Sequence, residues 1–185
     1  MISARAALGP LPTVPSMNLE RPVAPEPYSL LPQVPSFELT STDIAEGRPM
    51  ADRHAGESVS PQLSWSGFPE GTKSFLLNVF DPDAPTPAGF WHWTVLDLPV
   101  TTTSVPTGFG SDAGGALVLR NDVGSADYTG AAPPPGDHVH RYVFAVHALD
   151  VESLELPAEA TPTVAAFTSL GHVLARATLT GTYQR

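Results

Sequence analysis

From Phe37 onward the chain runs in short apolar stretches parted by turn residues, the pattern of a domain built from strands. The stretch PSFELTS alternates apolar and polar positions, and LSWSGFPEGTKSFLLNVFD predicts a strand, a turn at Pro69-Glu70-Gly71 and a buried strand over 74–81. FWHWTVLDL and GALVLRND predict two more. A glycine- and proline-rich loop over 124–136 then leads into the strand HRYVFAVHALD. A single segment carries a helical signature: Thr161 as N-cap, Pro162 at the first helical position, then Val164, Phe167, Leu170, Leu174 and Ala177 at helical spacing. ATLTGTY closes the chain as a last strand. Residues 1–35 are different, with eight prolines and no apolar periodicity. They predict an extended or disordered arm outside a domain spanning 36–185, with Tyr28, Leu30 and Leu31 as the handles by which it would pack on the body or on a partner.

Composition narrows the fold. At 185 residues the chain suits a single domain, and its 21 prolines and 15 glycines favour many short strands over long helices. The expected fold class is therefore mainly β. The formal charge of −10, with the nine basic residues scattered and Lys73 the sole lysine, excludes a nucleic-acid groove. No apolar run reaches the ~20 residues that span a bilayer, and the opening MISARAALGPLPTVP does not read as a secretory signal. With no cysteine there are no disulfides, thiol nucleophiles or thiolate metal sites, which fits a cytoplasmic setting.

Strand phase then gathers the candidate chemistry. Alternation in the strand from His140 places His140 and Tyr142 on one face with Phe144 and Val146, and Arg141 on the other. In the strand from Trp91 it places His92 with Thr94 and Leu96, and both neighbouring tryptophans opposite. Asp81 ends its strand in phase with Phe75, Leu77 and Val79. Three strands thus offer polar residues at one end of an apolar face, the usual make-up of a small-ligand pocket. Other readings stay open on residues alone. The acids of DPD suit turn capping, the HVH at 138–140 with His92 and Asp81 offers metal ligands, and two acids, two histidines and a tyrosine could perform acid-base chemistry. No G-x-S-x-G elbow and no phosphate-cradling G-x-x-x-x-G-K-[ST] occurs. Arg120-Asn121-Asp122 is expected to fasten the loop before Tyr128.

DPDAP at 81–85, FWHW at 90–93, RNDVG at 120–124, YTGAAPPPG at 128–136 and HRY at 140–142 follow one another in an order that resembles the phosphatidylethanolamine-binding protein family, in particular its bacterial Raf-kinase-inhibitor-like branch. The resemblance covers the chain from about residue 35 to its end. It implies a sandwich of two antiparallel sheets and a small pocket for phosphate-like anions or phospholipid head groups, without cofactor. Carried over by motif, the pocket takes Asp81, Asp83, Trp91, His92, His140 and Tyr142, rimmed by Ala132, Pro133 and Pro134. Trp91 is expected as an apolar wall. His92 and His140 are expected to donate to the ligand while Asp81 steadies an imidazole, and Asp83 is expected to face the ammonium of a zwitterion. Two departures predict a more open mouth: the sequence ends at GTYQR, where members with a further C-terminal helix set a tyrosine over the pocket, and Gly130-Ala131-Ala132 stands where the bacterial loop often carries Gly-Pro-Cys. The expected function is non-catalytic binding of a small anionic or phosphorylated ligand; regulation of a kinase or peptidase partner is the alternative, and the apolar residues of the arm leave room for a homodimer.

Overall fold

The computed structural model describes residues 19–110 and 114–185; the first half of the proline-rich arm lies outside the described residues. Among the described residues nine strands and one α-helix follow the arm: β1 (Glu38–Thr40), β2 (Arg48–Pro49), β3 (Leu63–Ser66), β4 (Ser74–Asp81), β5 (Phe90–Pro99), β6 (Ser104–Val105), β7 (Leu117–Val118), β8 (His140–Leu149), α1 (Pro162–Ser169) and β9 (Val173–Tyr183). They form two sheets, β1-β3-β6 and β2-β9-β8-β4-β5-β7, in which every pairing but the parallel β2-β9 is antiparallel. The mainly β, two-sheet architecture is the one the sequence predicts.

The core follows from period-two alternation in the central strands. Phe75, Leu77 and Val79 of β4 and Phe144, Val146 and Ala148 of β8 point inward, where they meet Leu39, Leu63, Trp65 and Val105 of the small sheet. Leu76 and Leu149 point to the opposite face and pack with Leu96, Leu119, Leu154 and Ala165, under α1 and the loop before it. β4 lies between β5 and β8 and is covered on both faces, which is why apolar residues fall on both of its faces rather than alternating with polar ones.

The helix differs from its expectation. Thr161 caps it, its side chain accepting from Val164 N at 3.2 Å, and Pro162 opens it. It stops at Ser169, however, and Leu174 and Ala177 belong to β9. Its buried side is Pro162, Ala165 and Ser169, while Val164, Phe167 and Leu170 are exposed. The apparent helical row came from joining a short helix to a strand: inward Ala175, Ala177 and Leu179 obey the strand's period of two. GALVLRND likewise contributes just the two paired residues of β7, and β2 carried no sequence signal.

Residues 19–35 of the arm run over the six-stranded sheet's outer face with a single 3₁₀ turn, Pro27–Leu30. Tyr28 is the anchor. Its hydroxyl donates to Asn78 Oδ1 at 2.7 Å, its ring meets the edge of His147 at 5.5 Å, and the Arg176 guanidinium lies 4.7 Å over it. Leu30, by contrast, is exposed.

Candidate ligand pocket

At one end of the large sheet, where β4 stops and β5 and β8 begin, a cavity of about 350 Å³ opens. Asp81, His92, His140 and Tyr142 lie together in its lining, with Phe90, Pro85 and Val123 as apolar wall and Ala132, Pro133 and Pro134 as rim. Seven of the predicted site residues thus share one cavity. Asp83 and Trp91 do not.

Asp83 leaves because the turn after β4 sends it to the outer side of the sheet edge. Its side chain is fully buried there and accepts from Arg141 Nε at 2.7 Å, Arg141 Nη2 at 2.8 Å and the Arg141 backbone N–H at 3.0 Å. Burial alone would raise its pKa, but the guanidinium and backbone donors hold its carboxyl below the ordinary aspartate range. Paired in this way and outside the cavity lining, its carboxylate is not placed to receive an ammonium there. Trp91 leaves because it lies on the outer face, 4.5 Å from the Phe80 ring, with Nε1 donating to Thr163 Oγ1 of α1 at 3.1 Å. Phe90 provides the wall instead, 4.9 Å from the His92 ring.

Simple alternation also mistakes the company of His92. In the β4–β5 register Val79 faces Trp93 and Phe80 faces Trp91, so His92 is an extra residue, a bulge. The bulge lets His92 and Trp93 both face inward, His92 to the cavity and Trp93 to the core, while Trp91 and Leu96 stay outside. The His92 carbonyl, lost to the ladder, accepts instead from Thr129 N at 3.0 Å and Asn121 Nδ2 at 3.3 Å. Asn121 also donates to Asp127 O and Thr129 Oγ1 and accepts from Val123 N and Ser125 N, fastening the loop as the sequence suggests.

Two imidazoles of opposite character face the cavity. His92 Nδ1 donates to Thr129 O at 2.8 Å, which leaves Nε2 as the lone-pair nitrogen, without a partner among the described residues. Burial lowers the pKa of His92, only partly offset by the Thr129 carbonyl and Asp81. His140 sits between two carboxylates, Nδ1 at 2.8 Å from Asp81 Oδ2 and Nε2 at 3.0 Å from Asp137 Oδ2. Burial would lower its pKa, yet these two acceptors outweigh burial and raise it, so both nitrogens carry protons and neither is left for a ligand. The expectation that His140 donates to the ligand is therefore corrected: it supplies fixed positive charge beside the cavity. Asp81 is steadied in turn by Asp83 N, which donates to its Oδ1 at 2.8 Å.

Tyr142 completes the floor. Its ring meets the edge of His92 at 5.1 Å, burial and the nearby Asp81 charge push its pKa far up, and its hydroxyl has no partner among the described residues. Asp137 and Arg21 are the contributors that sequence reasoning missed. Arg21 forks onto Asp137, both distances 2.8 Å. The available signal for Asp137 was its place directly before the HVH triplet; Arg21 lay in an arm with no periodic pattern. Among the described residues no group of three or more histidine or acidic side chains gathers as a metal site.

Comparison with known proteins bears on this site. The family model described as phosphatidylethanolamine-binding protein matches residues 40–184. The chain is 41% identical over 158 residues to the Escherichia coli protein YbhB, spanning 80% of this chain and 99% of that one. Among solved structures, E. coli YbcL, described as a new member of the mammalian PEBP family, superposes with a TM-score of 0.78 at 39% identity over 81% of this chain and 99% of that one. The homologue CT736 from Chlamydia trachomatis gives 0.72 at 33% identity over 81% and 98%.

Proposed function

Because the chain belongs to the phosphatidylethanolamine-binding protein family, we propose that it is a non-catalytic binder whose pocket holds a small anion, a phosphate or the phosphorylated end of a larger ligand such as a phospholipid head group. One observation carries this reading: Tyr142 Oη and His92 Nε2, both without a protein partner among the described residues, line one cavity beside the imidazolium of His140. The high pKa of Tyr142 keeps it a neutral donor to a ligand oxygen. His92 is neutral while the cavity is empty, and an anion brings its own reason to protonate, so the ring turns into a donor as the ligand enters. Asp81 does not repel the anion because its charge is matched at 2.8 Å by His140. Phe90, Pro85, Val123 and Pro133 keep the walls apolar, which strengthens each polar contact made inside.

The absence of catalysis in this proposal rests on the state of the carboxylates. Asp81 is committed to His140 and Asp83 to Arg141, so neither is a free base or nucleophile, and the two do not flank one cavity as a hydrolase pair would. A cavity of about 350 Å³ takes a head group and leaves acyl chains outside. A cytoplasmic setting, which the lack of cysteine accommodates, belongs to the same proposal. The test is titration of glycerophosphate into the wild type, His92→Ala and Tyr142→Phe. Each variant is expected to bind about tenfold more weakly, the worth of one hydrogen bond to a charged group; Tyr142→Phe should keep the wild-type melting temperature, whereas His92→Ala also gives up the Thr129 bond and should melt lower. Equal affinity in all three proteins would overturn the reading.

A further inference from the structure

Arg21 precedes Asp81, the nearest pocket residue in sequence, by 60 positions, yet it touches the pocket's charged groups directly. Nη1 donates to Asp137 Oδ1 and Nη2 to Asp137 Oδ2, both at 2.8 Å, and Nη2 also donates to the carbonyl of Asp83 and lies 3.4 Å from His140 Nε2. Asp137 is 1% exposed at its side chain and is ringed by nitrogens: Oδ2 takes Arg21 Nη2 and His140 Nε2, and Oδ1 takes Arg21 Nη1 and the His138 backbone N–H at 2.8 Å, with the His138 ring Nδ1 3.1 Å away. The result is a row, Asp81, His140, Asp137, Arg21, whose charges alternate and cancel. Without Arg21 the row would carry a net negative charge beside the cavity, and Asp137 would lose the planar fork that sets the orientation of its carboxylate.

We propose that Arg21 is a positioning residue of the pocket, delivered by the N-terminal arm, so that docking of the arm and binding of an anion strengthen each other. The ligand half of this inference rests on the anion-pocket reading above; the effect of Arg21 on His140 does not. The arm's other anchors lie on the outer face: Arg141 Nη2 donates to Ala24 O at 2.6 Å, and Tyr28 docks on Asn78, His147 and Arg176. None of these lines the cavity. Arg21 is thus the point at which the arm meets the pocket's charge, and linkage makes the effect reciprocal: whatever releases the arm weakens the anion site, and an anion in the site holds the arm down. The groups facing His140 are Asp81 on β4, Asp137 in the preceding loop, Arg21 on the arm, His138 with its ring 5.5 Å away, and His92 on β5. Removing the guanidinium leaves two carboxylates against one imidazolium, so His140 should hold its proton more tightly.

The experiment uses the full chain as wild type, Arg21→Ala, Arg21→Gln and Arg21→Lys. The His140 imidazole is titrated by NMR, inorganic phosphate affinity is measured by calorimetry, and amide exchange over residues 19–31 is followed with and without phosphate. The His140 midpoint is expected to rise by about one pH unit in Arg21→Ala and Arg21→Gln, as expected for loss of a neighbouring cation. Phosphate is expected to bind about tenfold more weakly in both, to slow exchange of the arm in the wild type, and to recover a large part of its affinity in Arg21→Lys. A purely structural Arg21 would lower the melting temperature and leave the His140 midpoint and phosphate affinity at wild-type values, which would overturn the proposal. If the wild type binds no phosphate, the anion-pocket reading falls, and the His140 midpoint decides the role of Arg21 separately: an unmoved midpoint overturns it, and a raised one upholds it.

Discussion

Asp81 and Asp83 stand two positions apart in the sequence and meet opposite surroundings, one paired with an imidazolium inside the pocket and one with a guanidinium outside it. DPDAP was legible as charged chemistry at a strand end, but which acid faces which side depends on the backbone path of the turn, and strand phase stops where the strand stops. The Arg141–Asp83 pair predicts a large single-residue effect. Arg141→Ala leaves a buried carboxylate without its fork and should cost about 3 kcal/mol in urea unfolding at neutral pH. The folded-state pKa of Asp83 is depressed, so the pair's contribution is present above the unfolded aspartate value and is lost as pH falls through the folded one. In the variant that loss should shift to higher pH. His147 gives the opposite dependence. Burial, then repulsion from Arg176, pushes its pKa down to about 3; its Nδ1 accepts from Arg176 Nε at 3.2 Å, and its Nε2 lies 3.3 Å from the Asn78 amide nitrogen, with no acidic partner at either. Below the ordinary histidine pKa the unfolded chain therefore binds a proton that the folded chain refuses. Stability should fall with pH by up to ~1.4 kcal/mol per unit from this residue. Thermal melts between pH 7.5 and 4.5 should show a visibly flatter profile for His147→Gln, and an unchanged slope would contradict the assignment.

At the level of elements, the strands that build the core were readable because each is long enough to show its period, and β4 and β8 fall where their apolar runs predicted. What escaped was local. The bulge at His92 inverts the phase of β5 within one residue, and nothing in FWHWTVLDL marks it, since its cause is the loop that supplies Thr129 N and Asn121 Nδ2 to the freed carbonyl. The sequence pattern overextends the helix because two periods can coincide over a few residues, and Gly171 between them gives no count of where one ends. The same loop that stabilises the bulge depends on close backbone approach. A Cβ at Gly130 would lie 1.6 Å from the Ala55 carbonyl oxygen, so Gly130→Ala must displace the segment that carries Thr129 and the rim residues Ala132 and Pro133. We expect this variant to lose ~2 kcal/mol of stability and most of its phosphate affinity. Near-wild-type values in both measurements would show that the rim is more compliant than this packing implies.

Across the whole molecule, fold and family are the most legible features, because they rest on the order of several motifs, all of which lie within the residues 40–184 that the family model matches. The arm was the least legible. Its contacts are single side chains, Arg21 and Tyr28, seated in sockets that the body provides, and such contacts leave no period in a proline-rich segment. Overall charge points the same way as the site. A chain of net −10 attracts no anion at long range, so the proposed anion binding rests on local neutralisation, with His140 and Arg21 cancelling Asp81 and Asp137 and a proton arriving on His92. The measurement that bears most directly on this account is calorimetric titration of the wild type with inorganic phosphate at pH 6 and pH 8, each in two buffers of different ionisation enthalpy. The account predicts saturable one-to-one binding that is weaker at pH 8, with net proton uptake that disappears in His92→Ala. No saturable heat, or binding of equal strength at both pH values without proton uptake, would contradict it.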